Sequence, residues 1–257
     1  MDYIGIKKWF CQVGFGLIEL IYPAAKECPI CRQEPSYRQG IGKNCFQKIS
    51  LITPPICQKC GRPLRLKVED EDTCGQCKGN RYYFSKARAV GLYEGALREY
   101  LSELKYRYRP ELGEALGELM VEWIKINPEY QKIDLIIPVP IHRQKLELRG
   151  YNQAELLANP IQRHFGIKLK NDIIVRDKLT ESQNSLSKEN RFSNIANAFR
   201  VIDAQSLSGT SVLLIDDILT TGATVSEAAR VLLRSGAITV KVLTLAVGVI
   251  DTTWLEN

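Results

Sequence analysis

Residues 212–224, VLLIDDILTTGAT, restrict the fold more than any other stretch of this chain. The first four positions are all apolar, which suits a strand covered on both faces, as in a parallel sheet flanked by helices. Asp216 and Asp217 follow at the carboxyl end of that strand, the edge where open α/β sheets bind ligands. Thr220, Thr221, Gly222, Ala223 and Thr224 then form a small, hydroxyl-rich turn opening a helix. Such a turn offers backbone N–H groups and hydroxyls to a phosphate, and the helix N-terminus favours negative charge. Gly222 lets the backbone approach closely. Two carboxylates would repel a phosphate seated on them, so they suit sugar hydroxyls beside it. A divalent ion such as magnesium would then bridge diphosphate and ribose oxygens. An ordinary strand-to-helix turn with solvated aspartates is the bland alternative.

The surrounding pattern agrees with a parallel sheet. Residues 85–93, 133–139, 172–175, 198–202 and 238–247 read as strands. Residues 95–104, 111–126, 152–165 and 224–235 read as helices, with Pro110 at the start of the second and Asn152 as N-cap of the third. Pro160 is expected to end or kink that third helix. Strands alternating with helices imply an α/β fold.

The strand, the acid pair and the T-T-G-x-T turn resemble the fingerprint of type I phosphoribosyltransferases. The resemblance implies a type I phosphoribosyltransferase-like parallel sheet flanked by helices. It implies phosphoribosyl pyrophosphate, or a related ribose 5-phosphate ester, bound with magnesium. Asp216 and Asp217 would hold the ribose hydroxyls as the catalytic acids, and Thr220 to Thr224 the 5-phosphate. In purine-salvage members an aspartate helps handle the base at the position that Thr220 takes here. That carboxylate is therefore missing. There is no G-x-x-x-x-G-K-[ST] loop for an ATP motor and no glutaminase domain.

Upstream, residues 134–158 read DLIIPVPIHRQKLELRGYNQAELLA. Pro138, Val139 and Pro140 follow a strand, where this superfamily puts its diphosphate loop, and Arg143, Lys145 and Arg149 supply cations. A solvated basic loop is the alternative. The stretch resembles the V-P-V-P-x-H-x5-7-R-G-[FY]-N-Q-A pattern of the ComF family. Leu104-Lys105-Tyr106 fits that family's L-K-[FY] element, and Thr180, Gln183, Leu186, Arg191, Asn194, Ala198 and Phe199 fit a further one. The resemblance runs from about Ile18 to Val247. It implies a role in DNA uptake during natural transformation or in nucleotide metabolism, and leaves the acceptor open.

All eight cysteines lie before residue 78. Cys57-x2-Cys60, thirteen residues and Cys74-x2-Cys77 is zinc-ribbon spacing, pointing to a closed structural zinc site. Cys28-x2-Cys31 is a third knuckle. The family resemblance suggests a double ribbon whose first site is completed by a pair ending at Cys45, but Gly42 stands where that pair should start. The first site thus has three evident ligands and lacks a fourth. It is empty, degenerate or completed by another group, and interleaved pairing of the knuckles is also open. Cys11 could in principle serve as that group, but it lies in an apolar run and is expected to pack there.

Three segments follow: residues 1–23, an amphipathic segment; 24–84, the ribbon module; and 85–257, the phosphoribosyltransferase-like domain. Residues 1–84 carry 13 basic and 8 acidic side chains out of 35 and 29 in the chain, so +5 of the net +6 sits there. Arg62, Arg65, Lys67, Arg81 and Lys86 flank the second site, a setting that suits single-stranded DNA. Four thiolates and the acidic residues 69–72 cancel part of that charge. No apolar run reaches the length of a membrane span, and cysteines that read as metal knuckles beside a cysteine-free remainder suit a reducing cytoplasm. Residues 9–22 loosely resemble a signal peptide, but Gln12 and Glu19 break the run. Membrane-surface association of this segment stays open. The function expected is a phosphoribosyltransferase of unknown acceptor. The alternative is a non-catalytic nucleotide or phosphoribosyl pyrophosphate sensor whose ribbon meets DNA or a DNA-uptake helicase.

Overall fold

The computed structural model describes residues 27–37, 40–64, 72–178 and 195–248. Its centre is a five-stranded, all-parallel sheet in the order β1 (Lys86–Leu92), β7 (Thr239–Val247), β6 (Ser211–Leu219), β2 (Leu135–Pro138), β3 (Lys168–Leu169). β4 (Ile174–Arg176) and β5 (Phe199–Val201) pair antiparallel outside it.

Alternation along the strands divides the core into two layers. Leu213 and Ile215 of β6, with Leu243 and Leu245 of β7, pack under α3 (Gly95–Tyr106), α4 (Glu111–Lys125) and α6 (Gln153–Phe165). Val212 and Leu214, with Val240 and Val242, face α7 (Ala223–Arg234) and Phe199 of β5. Helix α6 does not end at Pro160 but runs on to Phe165. The reason is its packing on α4. A Cβ on Gly117 would come 2.7 Å from Pro160 Cγ and from the Leu157 carbonyl. This close fit of ring on glycine offsets the missing N–H donor.

Strand β6 is longer than its apolar run and carries Asp216 and Asp217 inside it. Strand β7 pairs with it as far as Leu219, whereas β2 stops with Pro138 opposite Ile215. The acids therefore stand beyond the end of one neighbouring strand, and a cleft opens there.

The cysteine-rich segment, with α1 (Lys43–Gln47) and α2 (Gly75–Gly79), is built into both layers. Cys28, Ile41 and Cys45 join the layer under α3 and α4, and Cys57, Cys60, Tyr82 and Phe84 join the one under α7. Its backbone also runs along β1. Leu92 donates to the Ser50 carbonyl and Ala87 to the Lys59 carbonyl, each at 2.8 Å. An edge that would otherwise be open is thereby covered. Residues 1–23 and 180–194 lie outside the described residues, and with them the amphipathic segment, Cys11 and most of the Thr180 to Asn194 element. Among the described residues no helix is long and apolar enough to cross a membrane.

Candidate functional site

The cleft at the carboxyl end of β6 has a volume of about 220 Å³. Asp216 and Asp217 are neighbours on a strand, so their side chains leave on opposite faces. Asp217 shares the face of Ile215 and meets Lys105 of α3 in an ion pair, with side chains 7% and 17% exposed. Asp216 shares the face of Leu214 and lies within electrostatic reach of Arg176 of β4. The Asp217 N–H donates to Asp216 Oδ1 at 2.9 Å.

The two acids consequently titrate apart. Burial, and then the charge of Asp217, hold the Asp216 carboxyl well above the usual range. Burial acts the same way on Asp217, but the Lys105 ammonium outweighs it and brings that carboxyl below its usual range. Lys105 is in turn raised by Asp217 against the pull of its own burial. Lys145 and Arg149, from α5 (Arg143–Arg149), complete the cationic side of the cleft with Lys105 and Arg176. Burial lowers the Lys145 ammonium, and Arg176, Arg149 and Lys105 push it the same way. Four cations thus face two acids, one of which favours its neutral form.

The turn after β6 forms the floor. Gly222 has φ +81°, a left-handed conformation that a side chain would strain, and it caps α7. The ring of Tyr82 lies against it, 3.0 Å from where a Cβ would sit. The carbonyl of Thr221 receives two donors from the cysteine-rich segment: the Tyr82 hydroxyl at 2.7 Å and Gln76 Nε2 at 2.8 Å. Arg62 Nη1 fixes the Gln76 amide by donating to its Oε1 at 2.7 Å, and Arg62 Nε donates to the Gly248 carbonyl at 3.2 Å. On the opposite wall, Asn152 Nδ2 donates to the Val139 carbonyl at 3.1 Å and its Oδ1 caps α6.

The cleft residues expected from sequence fall into three groups. Asp216, Asp217, Thr220, Gly222, Thr224, Val139, Pro140 and Arg149 line the cleft. Pro138, Thr221 and Ala223 are buried behind the wall. Arg143 is 87% exposed at the start of α5 and pairs with Glu147 at 2.8 Å, away from the lining. Sequence reasoning had given no role to Lys105, Arg176, Gln76 or Tyr82. The signal for Lys105 was present in the Leu-Lys-Tyr element. The other three become visible only when distant segments meet.

Cys57, Cys60, Cys74 and Cys77 place their sulfurs within 4.8 Å of one another, and Cys60 and Cys74 are 3.6 Å apart. Tetrahedral zinc with Zn–S of about 2.3 Å spaces its sulfurs about 3.8 Å apart, so this cluster fits the ion. Cys28, Cys31 and Cys45 also converge, with the Glu34 carboxylate among them. The knuckles pair as Cys57/60 with Cys74/77, without interleaving.

Residues 17–78 match the double zinc ribbon domain and residues 152–252 the phosphoribosyl transferase domain. The DNA utilization protein YhgH of Escherichia coli O6:H1 is 32% identical over 219 residues, covering 84% of this chain and 94% of that protein. The chain belongs to the ComF family. Competence protein ComFC of Bacillus subtilis is 33% identical over 203 residues, covering 75% and 78%. Competence protein F of Haemophilus influenzae is 29% identical over 213 residues, covering 81% and 91%.

As a ComF protein the chain joins a double zinc ribbon, with structural zinc, to a phosphoribosyltransferase-type sheet. Its basic flank is smaller than the sequence suggests. Arg62 is 6% exposed and serves the ribbon, and Lys86 pairs with Glu129 at 3.0 Å. Arg81 is exposed, while Arg65 and Lys67 lie outside the described residues.

Proposed function

We propose that the cleft binds phosphoribosyl pyrophosphate with a divalent ion such as magnesium, and that the protein is a phosphoribosyltransferase acting in the cytoplasm in support of DNA uptake. The observation that carries this reading is the crowding of Lys105, Lys145, Arg149 and Arg176 around an acid pair above a glycine turn. Such a cleft is short of negative charge. A diphosphate would balance the excess positive charge, the turn at Thr220 to Thr224 would take the 5-phosphate, and Asp216 and Asp217 would accept from the ribose hydroxyls.

When bound with the ligand, the divalent ion would neutralise diphosphate charge. The chain's own part is positioning and charge stabilisation. Lys145 and Arg149 would hold the diphosphate as it leaves, and the acid pair would lie close to the positive charge developing at the anomeric carbon. Thr220 offers no carboxylate for purine handling, so the acceptor is expected to be something other than a salvaged purine. The link to DNA uptake rests on relatives named competence proteins. The described cysteines gather as metal ligands, not as disulfides, in keeping with a reducing cytoplasm.

A second reading, a sensor that reports ligand through its ribbon, is favoured by one feature. Gln76 and Tyr82 of the ribbon segment both grip Thr221 in the turn. Single-stranded DNA or a helicase would then be the ribbon's partner.

Calorimetric titration with phosphoribosyl pyrophosphate and magnesium tests the shared premise. Wild type should bind, and Asp216→Ala with Asp217→Ala should not. Absence of heat and of any thermal shift in wild type would remove both readings. Slow release of diphosphate from the bound ester, tested with candidate nucleobase and amine acceptors, separates transferase from sensor.

A further inference from the structure

We propose that Glu34 is the fourth zinc ligand of the first ribbon site, replacing the cysteine that the chain lacks at position 42. In each of the other three knuckles a cysteine stands three residues before its partner: Cys28 before Cys31, Cys57 before Cys60, Cys74 before Cys77. Cys45 has Gly42 instead.

Geometry puts Glu34 where the missing side chain would be. A Cβ built on Gly42 would come 2.1 Å from Glu34 Oε1 and 2.3 Å from its Cδ. No side chain at position 42 can coexist with Glu34 in this place, and a glycine there is the condition for the carboxylate to enter. Its oxygen lies within 4.8 Å of the sulfurs of Cys28, Cys31 and Cys45.

The hydrogen bonds point the same way. In the first knuckle the Cys28 sulfur lies beside the backbone N–H groups of Cys31, Gly42 and Ile30, and Ile30 and Cys31 stand two and three residues on from it. The Glu34 carboxylate accepts the N–H groups of Asn44 and Cys45, each at 3.2 Å, two and three residues on from Gly42. Glu34 therefore takes over the donors that a sulfur at position 42 would have taken. Zinc accepts carboxylate oxygen beside thiolate. Three thiolates with one carboxylate also carry the same total charge as four thiolates. The site is closed by the usual count of ligands, with one harder donor, and should release its ion more readily than the four-cysteine site.

The test is zinc content and zinc affinity of the purified full-length chain, with cobalt as the spectroscopic probe. Wild type should hold two zinc ions, the first-site ion leaving earlier to a chromophoric chelator. Glu34→Gln keeps the shape and a hydrogen-bond acceptor, yet should weaken one site at least about ten-fold while the other stays tight. Glu34→Ala combined with Gly42→Cys should restore the second ion. Its cobalt form should show thiolate-to-metal absorption of eight thiolates, against seven in wild type. A wild type with one zinc, a Glu34→Gln chain that holds both as tightly as wild type, or a double variant that fails to regain the second ion overturns the assignment. None of these outcomes bears on ligand binding in the cleft.

Discussion

The side-chain amide of Gln76 donates to the backbone carbonyl of Thr221, 145 residues away in sequence, at 2.8 Å. Gln76 sits between Cys74 and Cys77 of the second zinc site, and Thr221 precedes the glycine of the turn that floors the cleft. The ribbon thus backs the turn that floors the site. Replacing Gln76 by alanine leaves the Tyr82 hydroxyl on the same carbonyl, so the fold should survive. A hydrogen bond is worth about 0.5–1.5 kcal/mol, so affinity for magnesium phosphoribosyl pyrophosphate should fall roughly 2- to 12-fold. Calorimetry reads this directly. An unchanged affinity would show that the turn holds its shape without the ribbon.

Zinc removal should act on the same turn more strongly. Arg62 and Gln76 both depend on the second site for position, since Arg62 lies against Cys60 and Gln76 on the helix between two ligands. Stripping the metal with a strong chelator should lower the melting temperature and weaken ligand binding more than Gln76→Ala does, with far-ultraviolet circular dichroism of the sheet retained. Binding that persists at full strength in zinc-free protein would uncouple the two modules.

Lys105 and Asp217 make a buried pair, and breaking one side should cost far more than removing both. Lys105→Ala would leave the Asp217 carboxylate, 7% exposed, without its counter-charge. Removing one partner of a buried pair typically costs about 3–5 kcal/mol. Adding Asp217→Asn should recover most of that stability, yet not ligand binding. Urea denaturation of the two variants supplies the comparison. Equal stability of Lys105→Ala and wild type would mean that solvent reaches Asp217 more freely than its burial implies.

The sheet and the acid pair were legible because both are local. An all-apolar run, two acids and a glycine turn occupy residues 212–224 without interruption. The zinc ligands were legible because their spacing is the site. What escaped depends on contacts between distant segments. Arg143 looked as good a phosphate cation as Arg149, but a turn and a half of helix separates them. One faces Glu147 in solvent and the other the cleft. Pro160 looked like a helix end because sequence shows its missing N–H and hides Gly117 beneath its ring. Glu34 carries no metal-ligand spacing of its own, and only the fold brings it against Gly42.

The split titration of the acid pair sets a direction for pH. Asp216 is raised, so the folded chain holds its proton where the unfolded chain releases it, and its contribution to stability declines as pH rises toward the raised value. Asp217 is depressed, so its contribution is present above the ordinary aspartate range and is lost as pH falls through the lowered value. Ribose hydroxyls and a divalent ion both favour an ionised Asp216, so ligand should expel its proton. Affinity should therefore rise with pH until Asp216 is ionised in the free protein, and level off there. Titrations in two buffers of different ionisation enthalpy should register proton release by wild type. They should register none for Asp216→Asn, which should bind more weakly and lose the pH dependence. If wild type binds with no proton released and a flat pH profile, Asp216 is already ionised in the empty cleft. Its negative charge must then be balanced by Arg176 more fully than burial alone would suggest.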